Sequence, residues 1–354
     1  MKKGTLFLLC TTAAIISVCV GCSRKNETAS TAAVAVDPAS LQAFHPLPGS
    51  IPSDSNPMTE EKIALGRMLY YEPRLSRSQQ ISCNTCHLLD QYGVDGQSTS
   101  DGHKGQKGDR NAPTVYNAAG AFVQFWDGRA ADVEEQAKGP VMNPVEMAMP
   151  SEKRVLGVLK SMPEYVDAFK KAFPGEKDPV TVQNMAKAIG AFERKLVTPS
   201  PWDKYLQGDA QALTNEEKAG FNVFEQVGCQ VCHSGVHVGG SMYQKLGVAK
   251  AYPDSSDPGR EKVTKKETDR MVFRVPGLRN VAKTGPYYHS GKVPTLEQAV
   301  SMMAEYQLGK SLDESQTRAI VAWLNSLTGE IPAEYIKPPV LPQSTPSTPK
   351  PDMK

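Results

Sequence analysis

Two five-residue spacings govern what this 354-residue chain can become: Cys83-Asn84-Thr85-Cys86-His87 and Cys229-Gln230-Val231-Cys232-His233. At this chain's Cys and His frequencies one such spacing has a chance expectation of roughly 0.002, so a pair is no accident. Two thiols three positions apart can each add to one vinyl group on a haem edge. The adjacent histidine is then placed to ligate the iron from the proximal side. A thioredoxin-like redox pair does not require that histidine, and a four-ligand zinc site is a poorer reading of paired units in an exported chain. The motifs imply two covalently attached c-type haems, with His87 and His233 as proximal ligands.

Export follows from the N-terminus. Lys2 and Lys3 precede an apolar run over residues 6–20, the shape of a secretory signal. The run ends in Val20-Gly21-Cys22, which resembles a bacterial lipoprotein cleavage box with Cys22 as the acylated residue, although Cys19 stands where leucine is usual. Ordinary cleavage and an uncleaved anchor are the alternatives, and all three place the body outside the cytoplasm. With Cys10, Cys19 and Cys22 assigned to the leader, four of the seven cysteines remain, all in the two motifs. Removing Lys2 and Lys3 also leaves 38 basic against 38 acidic residues, which argues against a nucleic-acid partner.

The surroundings of the motifs look duplicated. Thr59-Glu60-Glu61-Lys62 and Thr214-Asn215-Glu216-Glu217 each read as a helix start, the second with a capping box. Val182, Met185, Ala186, Ile189 and Leu196 share a face in the first half, as Ile320, Trp323, Leu324 and Leu327 do in the second. No alternating strand run stands out. These patterns predict a mainly α, loop-rich fold of two cytochrome c-like helical domains, each with one haem. The domains are residues 45–200 and 201–330, with the Pro/Ser-containing stretch 198–203 as the boundary. Residues 1–22 form the signal, 23–44 a flexible tether, and 331–354, with seven prolines, an extended tail whose docking is left open.

Other segments narrow the reading. Arg110-Asn111-Ala112-Pro113-Thr114-Val115-Tyr116-Asn117, Gln124-Phe125-Trp126-Asp127-Gly128-Arg129 and Pro144-Val145-Glu146-Met147 lie in the first half. Val275-Pro276-Gly277-Leu278-Arg279-Asn280, Pro286-Tyr287-Tyr288-His289 and Thr295-Leu296-Glu297-Gln298-Ala299-Val300 lie in the second. Through these the chain resembles the bacterial dihaem cytochrome c peroxidases over residues 45–330. Gly277 and Tyr288 depart from the family's serine and phenylalanine.

The resemblance assigns roles. His103, in Gly102-His103-Lys104-Gly105, matches a histidine that caps the peroxide-reactive iron and leaves when the other haem is reduced; taken alone it reads as a solvated loop residue. Its neighbours Lys104, Lys107 and Arg110 read as a solvated face. Glu146 and Gln136 match the carboxylate and amide that handle peroxide, a proton shuttle and a hydrogen-bonding hold. The apolar, proline-containing setting of Glu146 would raise its pKa. Spacing alone would leave both as surface polar residues. Trp126 matches the aromatic bridge between haems, whereas Trp202 and Trp323 read as core. Met303 matches the sixth ligand of the second haem, with Met302 as the alternative register. Asn111, Thr284 and Pro286 match an inter-domain calcium site. His45, His237 and His289 read as structural or solvated.

What the resemblance implies is a periplasmic, lipid-anchored enzyme reducing hydrogen peroxide to water. Electrons from a small cytochrome c or copper protein would enter at the C-terminal haem and pass to the N-terminal one. A homodimer is left open. The rival readings are a non-catalytic dihaem electron carrier and a maturation-type dihaem oxidase. The latter ligates its second haem by tyrosine, for which Tyr306 is nearby.

Overall fold

Thr59 opens the first long helix, α1 (Glu60–Tyr70), by accepting from the Lys62 amide, and Glu60 and Glu61 lie at its positive end. The computed structural model describes residues 1–4 and 33–353. The apolar run 6–20 and Cys22, which carry the export and lipid expectations, lie outside the described residues. Four more long helices follow in the first half: α2 (Val133–Met142), α3 (Glu152–Lys160), α4 (Pro163–Ala172) and α5 (Val182–Glu193). The second half contains α6 (Asn215–Val227), α7 (Leu296–Leu308) and α8 (Glu314–Ser326). The capping box expected from Thr214 to Glu217 is formed at the start of α6. Among the described residues no helix is long and apolar enough to cross a membrane.

Each half builds its core from the same crossing. In the first, Leu65, Leu69 and Tyr70 of α1 pack against Met185, Ile189 and Phe192 of α5. In the second, Phe221 and Phe224 of α6 pack against Ile320, Trp323 and Leu324 of α8, with Trp202 behind them. The apolar faces read from the sequence are the buried ones; Leu196 and Leu327 lie just past their helices and are fully covered as well. Glycine permits both crossings. A Cβ on Gly66 would lie 1.9 Å from the Ala188 carbonyl oxygen, and one on Gly220 would lie 1.9 Å from that of Ala319.

One element escaped the sequence reading. Tyr243–Lys245 (β1) and Val272–Arg274 (β2) pair antiparallel, Tyr243 opposite Arg274. Three residues are too few for a visible alternation. Beside this ribbon Tyr252, Met271 and Phe273 form a small third cluster, into which Trp126 of the first half packs.

The ends are docked crosswise. Within the expected tether, residues 34–44 are packed rather than free: the Val34 amide donates to Asn215 Oδ1, the Gly235 amide donates to the Ala43 carbonyl, and Phe44 meets Trp202 edge-on at 5.6 Å. Val36, Leu41 and Phe44, spread among small and polar residues, carry that anchor, which is why the segment reads as a linker. The proline-rich tail crosses to the first half. Tyr335 stacks on Phe192 at 5.0 Å, Ile336 is buried, Ser161 bonds Thr348 at 2.9 Å, and Arg77 pairs with Asp352 at 2.6 Å.

Adding one methyl at either crossing tests this packing. Gly66→Ala and Gly220→Ala should each destabilise the haem-loaded protein by ~1–3 kcal/mol through overpacking against backbone that cannot move aside. Thermal unfolding of both variants beside Gly157→Ala, whose Cβ would meet only Pro349 at 4.0 Å, measures it.

Candidate functional site

The second motif opens the clearer of the two sites. Cys229 begins a 3-10 turn after Gly228, which ends α6 in the left-handed region at φ 98°. Cys229, Cys232, His233 and Met303 line one apolar cavity of ≈ 190 Å³, together with Trp126, Phe273 and His289. Met302, one residue earlier on α7, lines a different cleft and packs by Met271 and Phe273, so the helix directs the two thioethers apart. The Tyr306 ring packs against Tyr252 at 5.5 Å and does not line this cavity. His289 stacks on Phe273 at 4.3 Å and borders the cavity.

His233 is buried and His87 half-buried, and desolvation is what lowers their pKa, that of His233 to about 4. A neutral imidazole keeps the lone pair an iron ligand donates. The carbonyls of Gly93 and Pro113 face His87, and those of Val238 and Pro276 face His233. Each Nδ1 is nonetheless buried outside hydrogen-bonding geometry. Burial also pushes the Cys83 thiol up to about 12 and those of Cys86 and Cys229 to about 11. Desolvated thiols and imidazoles of this kind, set beside an apolar cavity, fit a large flat cofactor whose metal would take the imidazole as a ligand.

Around the first motif the predicted residues converge. Cys86 lies within electrostatic reach of Asp101 and Glu146 and beside the Ser100 hydroxyl. His103 is 3% exposed, and neither of its ring nitrogens has a partner, a costly state for a buried imidazole that has no ligand to meet. Its loop is closed by a bridge between Asp101 and Lys107, with Lys104 and Gly105 in the left-handed region. The His103 amide donates to the Glu146 carbonyl at 2.8 Å. Gly102 packs so closely that a Cβ would lie 1.9 Å from the Val145 carbonyl oxygen.

Glu146 is half-buried, and burial pushes its pKa above the usual carboxylate range against the opposing pull of Arg129 and the Asn143 amide, which donates to Oε1 at 2.9 Å. Its loop is tied to the end of α2 by Asn143 to Gly139 and Met147 to Pro140. Gln136 is half-buried on α2 and its amide has no hydrogen-bond partner among the described residues. Trp126 donates from Nε1 to the Asn111 carbonyl at 2.9 Å. Asn111 donates from its amide nitrogen to His289 and from its side chain to Gln97. Thr284 and Pro286 lie in the half-buried turn that precedes His289. His45 is exposed and His237 packs against Gly120.

Two residues were misread or missed. Arg110 is not solvated: its side chain is 11% exposed and pairs with Asp127 and Asp257, each at 2.6 Å. Lys107 beside it does behave as expected, at 53% exposed. Glu193, at the end of α5, is buried near Cys83 and Tyr70, and burial followed by repulsion from Glu134 raises it to about 8, with Arg194 opposing. An acid at the end of an amphipathic helix gives no sign of that in sequence.

The family model described as di-haem cytochrome c peroxidase matches residues 60–211. The chain is 49% identical over 316 residues to cytochrome c551 peroxidase of Pseudomonas aeruginosa, covering 87% of this chain and 90% of that one. It is 48% identical over 297 residues to the protein of the same name from Nitrosomonas europaea, covering 83% and 87%. Among solved structures it is similar to a MauG-like protein associated with microbial copper homeostasis, with a TM-score of 0.73, 28% identity, and 83% and 97% covered.

The raised pKa of Glu193 predicts a pH dependence. An acid whose folded pKa exceeds its ordinary value stabilises fully below that value and loses stability as pH rises towards the folded one. The urea midpoint of the holoprotein should therefore decrease as the pH is raised from about 4.5 to about 8. Glu193→Gln should flatten that part of the profile.

Proposed function

Because the chain belongs to the di-haem cytochrome c peroxidase family, we propose that it reduces hydrogen peroxide to water with two electrons and two protons per turnover. The observation that carries the reading is His103, buried with both ring nitrogens unpartnered and held by its amide on the backbone of Glu146. Cys83, Cys86 and His87 would hold one haem; Cys229, Cys232, His233 and Met303 would hold the other. Bound there, the haems supply an iron that takes up peroxide and a second iron that stores an electron.

The chain's own groups do the rest. Glu146, held above the usual carboxylate range by burial, takes the proton from the inner peroxide oxygen and returns it to the outer one, which leaves as water. Gln136 offers an uncharged amide to hydrogen-bond peroxide. His103 would be a ligand of the peroxide-reactive haem at rest and would have to withdraw before peroxide binds. Trp126, bordering the second cavity and anchored on Asn111 of the first half, relays electrons from the His233/Met303 site to the His87 site.

Electrons come from a small cytochrome c or copper protein at the C-terminal half; the Pseudomonas relative's name, cytochrome c551 peroxidase, supports the former. Placement is periplasmic, with lipid at Cys22. Calcium would be held between the halves by Asn111, Thr284 and Pro286. Among the described residues no cluster of His, Cys, Asp or Glu is placed to hold a metal, so the donors would be the Asn111 amide oxygen and backbone carbonyls, which suit calcium. The chain's domains divide near residues 198–203.

Peroxide turnover by the holoprotein, fully oxidised and half-reduced, tests the reading. Turnover should appear on half-reduction and fall by ~100-fold or more in Glu146→Gln, within the usual range for a positioned acid–base group. No turnover in either state would leave an electron carrier. Met303→Leu should abolish the methionine-to-iron charge-transfer band and Met302→Leu should keep it. A band lost in Met302→Leu instead would move the ligand by one residue.

A further inference from the structure

Arg110 is the side chain through which the first half grips the second beside Trp126. Its guanidinium forks onto Asp257, Nε to Oδ2 at 2.6 Å and Nη2 to Oδ1 at 2.9 Å, while Nη1 reaches Asp127 Oδ2 at 2.6 Å. Asp127 follows Trp126, and Asn111 follows Arg110. Two adjacent dipeptides are therefore paired twice over: carboxylate to guanidinium, and indole N–H to the Asn111 carbonyl at 2.9 Å.

The second half holds the same pair from its own side. Asn111 donates its amide to the His289 carbonyl at 2.8 Å, and Arg274 donates its amide to the Trp126 carbonyl at 2.8 Å. Phe273 lies between Arg110, 5.9 Å away, and His289, 4.3 Å away, and borders the cavity of the second motif. All three charged groups are largely buried, at 11%, 4% and 13% side-chain exposure.

We propose that Arg110 is a positioning residue for electron passage, fixing the indole of Trp126 relative to both haem sites by bridging Asp127 and Asp257. The inference rests on the peroxidase reading for its direction of use, but its own observable is transfer between the two haems. Only a planar fork can meet a carboxylate with two parallel bonds and still present a third donor elsewhere. A lysine keeps the charge and loses that geometry. Asp127 retains Arg129, at 3.0 Å, when Arg110 is changed, so the first half is not left with an unpaired carboxylate.

The experiment uses haem-loaded Arg110→Lys and Asp257→Asn beside wild type. Inter-haem electron transfer is followed spectroscopically after rapid photoreduction of the C-terminal haem, with haem potentials and the KM for the electron donor measured in parallel. Both variants should slow transfer roughly ten-fold, short of the ~100-fold that a 1 Å misplacement can cost. Potentials and donor KM should stay at wild-type values. Wild-type transfer rates in both variants overturn the proposal, as does slowing that tracks a shift in potential, which would make Arg110 a charge and not a clamp. Should Arg110→Lys fail to load haem, the near-isosteric Asp257→Asn decides alone. A wild type that moves electrons between haems without consuming peroxide would sink the peroxidase reading and leave this comparison intact.

Discussion

The Thr198 hydroxyl is the point on which the two halves register. It accepts from the side-chain amides of Asn117 and Asn280, each at 2.9 Å, and all three residues are buried. The two asparagines are equivalent. Both adopt left-handed φ near 60°, and each donates its backbone amide to the residue just past its half's closing helix, Leu196 or Leu327. Close by, Asp203 takes both arms of Arg279 and the Leu47 amide, and Glu134 takes both arms of Arg194. A buried network satisfied this fully defines one arrangement, because any slip strands several polar groups out of water. The halves thus meet through directional bonds, and sites lying on either side inherit their separation from them.

The crossed termini add a second restraint of a different kind. Val36, Leu41 and Phe44 pack on the core of the second half, and Ile331, Tyr335 and Ile336 on that of the first. Chain entropy lost in ordering such extended segments must be offset locally, and the anchors show where: Phe44 between aromatic rings at one end, Tyr335 and Ile336 at the other. The tail also reaches the site indirectly. Arg77, paired with Asp352, donates its amide to the Met147 carbonyl, one residue from Glu146.

What the sequence disclosed and what it hid divide by range. Haem attachment is written in five contiguous residues and the amphipathic faces in one helix each, so both are readable locally. Met302 and Met303 differ by one step on α7, a rotation that depends on which face α8 and the ribbon cover. Arg110 looked solvated because its neighbours are Lys107 and Lys104, while its partner Asp257 is 147 residues away. The equivalence of Asn117 and Asn280 was visible, since both stand four residues after a proline, Pro113 or Pro276. Its meaning was not, because the shared acceptor is a threonine in a stretch that reads as a boundary.

The backbone bond between His103 and Glu146 ties gating to chemistry. His103 hangs by its amide from the carbonyl of the residue whose carboxylate is proposed to move the proton, and Gly102 fits against Val145 with no space for a side chain. Withdrawal of the 101–107 loop therefore cannot leave the 143–149 loop untouched. The peptide that carries the His103 bond is the peptide of Glu146 itself, whose side chain is steadied by Asn143 and the field of Arg129. On the proposed reading, opening the distal position and setting the carboxylate are one displacement.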